Sequence, residues 1–162
     1  YGDHRDQHSF PPRRSSDLTH AVGEVSEEAK KLIQVTKECF FEGIKYAKAG
    51  NHLFDISGAI GRYAEERGYG VVRDLCGHGI GTALHEAPEI PNYEVGRKGV
   101  KLRPGMTLAI EPMINIGTYE VDWLDDDWTV VTRDGSLSAH YENTILITEG
   151  EPRILSLTCD NE

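Results

Sequence analysis

The sequence predicts an α+β domain, with helices on one face of a curved and mostly antiparallel sheet. Three observations predict it. Apolar residues recur at helical spacing through residues 26–64, and from Val71 onward short β-rich runs alternate with Pro, Gly and Asp. Residues 22–158 hold neither a linker nor an internal repeat. A chain of 162 residues is long enough to bury a core, removing roughly two thirds of its unfolded surface.

The first helix is expected to start at Ser26, a good N-cap, with Glu27 and Glu28 favoured in a first turn by the helix dipole. Ala29, Leu32, Ile33, Phe40, Ile44 and Ala47 then fall on one face, and Gly50 ends it. A shorter helix follows, capped by Asp55 or Ser57, in which Ile56, Ile60, Tyr63 and Ala64 fall together before Gly68 and Gly70. Residues 71–72, 107–110, 128–131 and 144–147 read as strands, with Asp134 and Gly135 in a tight turn. Pro11, Pro12, Arg13, Arg14, Ser15 and Ser16 have the composition of neither, so residues 1–18 are expected to be a disordered arm.

Charge narrows the partners. Twenty-seven acids against seventeen bases give a net charge of −10, and no basic run exists beyond Arg13 and Arg14. Nucleic acid and anionic membrane surfaces are thereby disfavoured. Cys39, Cys76 and Cys159 are an odd number with no CxxC pair, which suits a reducing compartment. No apolar stretch has spanning length and no apolar signal core opens the chain, so the expectation is a soluble, cytoplasmic protein.

The chemistry starts at His78, bracketed by Gly77, Gly79 and Gly81. These glycines allow close backbone approach and φ above zero, but they also suit a plain turn. The run lacks the terminal Lys and Ser/Thr of a phosphate loop and the spacing of a dinucleotide loop. His85, followed by Glu86, is either a second ligand or a donor to substrate, and the HExxH spacing of a zinc helix is absent. Glu111 is the larger anomaly. It ends the apolar run 107–110 and precedes Pro112, which puts a carboxylate at the end of a core strand. Burying a carboxylate alone costs several kcal/mol, so a metal, another cation or a hydrogen-bond cage is the expected companion. Glu142 repeats the pattern just before 144–147. Either glutamate alone also suits an ordinary strand end; the two together with His78 point to a hydrolytic metal site.

The segments CGHGIGTALHEAPEIPNY, LRPGMTLAIEPMIN and WTVVTRDGSLSAHYENTILIT, in that order, resemble the C-terminal part of the type I methionine aminopeptidases. The resemblance runs from about Val22 to the C-terminus. It implies the pita-bread fold, two pseudo-symmetric halves around a curved sheet, of which this chain would carry an incomplete, C-terminal portion with covering helices. The interval of 31 residues between Glu111 and Glu142 resembles the short type I form rather than type II, which is interrupted there. The resemblance also implies roles. His78 and Glu111 would be ligands of one ion, with Glu111 also moving a proton, and Glu142 would bridge two divalent ions, Mn, Fe, Co or Zn. His85 would hydrogen-bond the substrate, and Leu84 with Trp128 would wall the methionine side chain. The activity implied is removal of the initiator methionine from nascent proteins with a small second residue. The complete enzyme would be a monomer acting on N-terminal methionyl peptides, close to the ribosome.

Departures from the family matter as much. Just upstream of a stretch like VGEVSEEAK the family carries two aspartate ligands on adjoining strands. Here that place holds PPRRSSDLTHA; Asp3, Asp6 and Asp17 lack the family's spacing and strand context. The phrase RRSSDL resembles an in-frame translation of a sequencing adapter. Residues 1–18 are therefore expected to be foreign to the domain, and residues 19–162 to be a partial metallopeptidase catalytic domain. Such a chain would hold ligands for at most one well-formed ion site and be impaired as a catalyst. The alternative is a pita-bread scaffold that only binds, having lost ligands.

Overall fold

The computed structural model describes residues 18–157. Residues 1–17, with Asp3, Asp6 and Asp17, and Cys159 lie outside that range, and so does nearly all of the segment expected to be disordered or foreign. Leu18 forms an isolated antiparallel bridge to Tyr141.

Helix α1 spans Glu27–Ile44, and Ser26 caps it by accepting the Ala29 N–H at 3.1 Å. Its buried stripe is Leu32, Val35, Thr36, Cys39, Phe40, Gly43 and Ile44. The helix stops at Ile44, short of Gly50, because bonds from Tyr46 N–H to Gly43 O and from Ala47 N–H to Ile44 O tighten its last turn. Ala47 is buried beyond the helix, not on it. Helix α2 spans Leu53–Glu65 and starts before either expected cap. His52 is the cap residue, and the Asp55 carboxylate reaches back from the third helical position to accept the His52 N–H at 2.8 Å. Gly68, at φ +80°, closes this helix, with Tyr69 N–H bonded to Ala64 O at 3.2 Å.

Among the described residues ten strands follow: β1 Gly70–Val71, β2 Gly77–Ile80, β3 Glu86–Ile90, β4 Thr107–Ile110, β5 Met113–Asn115, β6 Val121–Trp123, β7 Val130–Thr132, β8 Ser138–His140, β9 Asn143–Leu146 and β10 Arg153–Ile154. All their pairings are antiparallel. They make a five-stranded sheet in the order β10-β9-β4-β2-β3, a three-stranded sheet β1-β5-β8, and the hairpin β6-β7. Helix α1 packs on β5 and β8, and α2 on β1 and β3. The core between them includes Phe40, Ile56, Ile60, Ile110, Ile114, Tyr141 and Ile145.

Two readings are decided by the structure. Of the two left open for the glycine-rich run around His78, close approach and a plain turn, the first holds, since Gly77–Ile80 is the interior strand β2. None of Gly77, Gly79 and Gly81 has a positive φ; a Cβ on Gly77 would strike the backbone carbonyl of Ala109, and one on Gly79 that of Ala87. The glycines serve close backbone approach only. The strand expected at 128–131 is displaced to β7, because the Asp126 carboxylate accepts the N–H groups of Trp128 and Thr129, at 3.0 and 2.8 Å, and holds 126–129 as a turn.

Candidate metal centre

Sheet register decides which side chains meet. His78 pairs with Ala109 across β2 and β4, and Ala109 pairs with Thr144 across β4 and β9, so the three share one face. Gly79, Leu108 and Ile145 share the other, which belongs to the core. Two residues beyond Ala109 stands Glu111, and two before Thr144 stands Glu142; both rejoin the His78 face. Since Ile110 pairs with Asn143, the two glutamates stand opposite one another at the end of adjoining strands. Like charges placed so destabilise a sheet unless a cation joins them.

A ligand atom from each of His78, Glu111 and Glu142 lies within 4.8 Å of the others, all three side chains being half-buried. No other such group of three occurs among the described residues. His78 Nδ1 lies 2.9 Å from Gly79 O. That bond needs the proton on Nδ1, which leaves the Nε2 lone pair directed to the cluster, 3.7 Å from Glu111 Oε1. Asn92 Nδ2 donates to the Glu111 carbonyl at 3.0 Å and fixes the backbone behind the carboxylate. An imidazole nitrogen and two carboxylates fit a divalent transition ion, which takes nitrogen and oxygen donors together.

These three residues line a cavity of about 110 Å³ together with Ile80, Leu84, His85, His140 and Thr144. His85 stands outside the ligand group, its ring 4.2 Å from that of His78 between centroids. The turn that carries Leu84 and His85 is tied by Glu86, whose carboxylate accepts the Ala83 N–H at 2.6 Å. That bond, then bonds from Thr82, hold the Glu86 carboxyl below its ordinary range. Burial pushes the thiol of Cys76 up, with Glu89 and Glu111 adding to it, so Cys76 stays a neutral thiol next to the site.

Of the two residues expected to wall a methionine pocket, Leu84 lines the cavity and Trp128 does not. Trp128 stands in the turn before β7 with 71 % of its surface exposed. Sequence reasoning missed His140. A signal for it exists in the sequence, since Ala139, Tyr141, Ile145 and Ile147 recur at every second place or a multiple of it and put His140, Glu142 and Thr144 together on the other side.

The chain belongs to metallopeptidase family M24, which it matches over residues 15–149. Within that family it is 60% identical over 139 residues to the methionine aminopeptidase of Clostridium acetobutylicum, covering 86% of this chain and 56% of that protein. Its backbone superposes on the methionine aminopeptidase of Thermotoga maritima with a TM-score of 0.85 and 48% identity, over 88% of this chain and 57% of the other. Prolidase from Pyrococcus furiosus follows the same path at a TM-score of 0.65 and 27% identity, over 88% and 37%. The architecture is thus a partial pita-bread fold, and the chain spans about half the length of the curated relatives it matches.

Proposed function

We propose that the protein to which this chain belongs removes the initiator methionine from nascent proteins, preferring a small second residue. The observation that carries the reading is the convergence of His78, Glu111 and Glu142 in one cavity with Leu84 and His85, within a family whose similar members are methionine aminopeptidases. Divalent ions, when bound, supply an acidified water and polarise the scissile carbonyl. Mn, Fe, Co and Zn all suit the donor set.

The chain's own residues divide the remaining work. His78 offers Nε2 and Glu142 a carboxylate that can be shared; Glu111 both binds and accepts a proton from the attacking water. His85 directs an N–H towards the substrate carbonyl or amide, and Leu84 gives the methionine side chain an apolar contact. Among the described residues no aspartate joins the group; on this reading those residues hold at most one ion, and poor turnover by this chain belongs to the proposal. Cytoplasmic location, a monomeric complete enzyme and work near the ribosome belong to the same proposal and rest on the family resemblance.

The test is methionine release from Met-Ala and Met-Gly peptides by the full-length protein, loaded in turn with each of the four ions. Release with at least one ion, and a large loss in Glu111→Gln, is expected. No release with any of them sinks the assignment, and binding of such peptides without cleavage favours a scaffold that only binds.

A further inference from the structure

We propose that His140 is a positioning residue of the metal centre, acting through Glu111. The inference rests on reading His78, Glu111 and Glu142 as metal ligands. The Glu111 carboxylate lies between two imidazoles, one facing each oxygen: His78 Nε2 is 3.7 Å from Oε1, and His140 Nε2 is 3.8 Å from Oε2. His140 itself is outside the group of three whose ligand atoms converge. It therefore acts on the ion by holding a ligand and not by being one.

The backbone that carries His140 is tied on both sides. His140 is the last residue of β8 and pairs with Met113, two residues beyond Glu111. The next residue, Tyr141, donates its N–H to Pro112 O at 3.2 Å. On the other side Thr19 accepts the His140 N–H on Oγ1 at 2.8 Å and donates its own N–H to His140 O at 2.9 Å. The backbone that carries the imidazole is thus fixed from two directions beside the Glu111 side of the cavity. The contact is shielded, with side-chain exposures of 31% for His140 and 15% for Glu111, so the attraction between an imidazole N–H and the carboxylate is little screened by water.

The function of such a hold follows from the facing carboxylates. Without an ion, repulsion from Glu142 works against the rotamer that brings Glu111 to the cluster. The attraction of an imidazole N–H for Oε2 at 3.8 Å, beyond hydrogen-bond range, opposes that repulsion and leaves Oε1 towards the cluster, so less ordering remains to be done when the ion binds. Outer partners of this kind change metal affinity by about 10–100-fold.

The experiment is calorimetric titration of this chain with Co(II), comparing the unmodified protein with His140→Phe and His140→Gln. Phenylalanine fills the ring's volume without a donor, and glutamine restores an N–H. The expected result is a Kd weakened about 10–100-fold in His140→Phe at unchanged stoichiometry, with most of the loss recovered in His140→Gln. Metal-free thermal midpoints of both variants, measured in parallel, separate affinity from folding. Equal affinities in the unmodified and His140→Phe proteins overturn the inference while leaving the metal centre intact. So does a folded His140→Gln that binds as weakly as His140→Phe, because a structural or direct-ligand role then accounts for the loss. Absence of binding by the unmodified chain overturns the metal-centre reading and the inference with it.

Discussion

Glu142 faces Glu111 at the ends of adjoining strands, so in the metal-free chain each carboxylate is held against the other's charge. Removing one charge relieves that repulsion and removes a ligand in the same step. Glu142→Gln is therefore expected to raise the metal-free thermal midpoint by a few degrees, the equivalent of about 0.5–1 kcal/mol, and to abolish the rise that Co or Mn produces in the unmodified chain. A thermal scan with and without ion checks both signs; a lowered metal-free midpoint would show that Glu142 is held by hydrogen bonds and not by a cation. Glu86 acts at the same scale on the other side of the cavity. Glu86→Ala leaves the Ala83 N–H without its acceptor, so amide exchange at Ala83 should quicken by about ten-fold or more. Glu86→Gln, which keeps an acceptor oxygen, should leave it slow.

At the scale of elements, the strand β2 depends on having no side chain where β4 comes closest. Gly77→Ala forces a Cβ against the Ala109 carbonyl, and backbone cannot yield as a side-chain tip does. The expected cost is about 1–3 kcal/mol, read as a lower urea midpoint. The Asp134 turn joins β7 to β8 and ties both to the chain after β5. Its carboxylate accepts from Ser136 N–H at 2.9 Å and Thr118 N–H at 2.8 Å. With the Ser136 side chain as the largest cause, these bonds lower its pKa from 3.8 to about 2. A folded pKa below the unfolded one means that the contribution is complete above about pH 4 and is lost as pH falls through about 2. Asp134→Asn should accordingly melt below the unmodified chain at pH 7, and the gap should close towards pH 2. A gap that persists at pH 2 would show that the charge is not what the turn uses.

For the whole molecule, ion binding and folding are one equilibrium, because β2, β4 and the β8–β9 junction bring the ligands together only in the folded chain. An ion at about 100 times its Kd should stabilise by about 2.7 kcal/mol, and a chelator should reverse this fully. A midpoint indifferent to Mn, Co and Zn would argue that the three ligands do not act together. Negative charge outside the site, part of the chain's −10, should also make ion affinity fall with added salt, through screening.

By itself the sequence determined the α+β class, both helices to within a few residues, and the three residues that converge, because these are written locally. Helical spacing marks a buried stripe, and a carboxylate ending an apolar run marks a cost that something must offset. Resemblance across three long segments added the family. The tertiary structure alone decided the rest. Glycines 77, 79 and 81 left close approach and a plain turn both open, because nothing local reports the carbonyls of Ala109 and Ala87 pressing on Gly77 and Gly79. His140 went unnoticed because its partner, Glu111, lies 29 residues away in the chain and is brought to it through the pairing of β5 with β8. Whether Trp128 lines the cavity is likewise not written locally; the Asp126 turn sets its backbone, and it is absent from the lining. Spacing along a chain records which way a side chain faces within its own element; which elements become neighbours depends on packing and register between segments far apart.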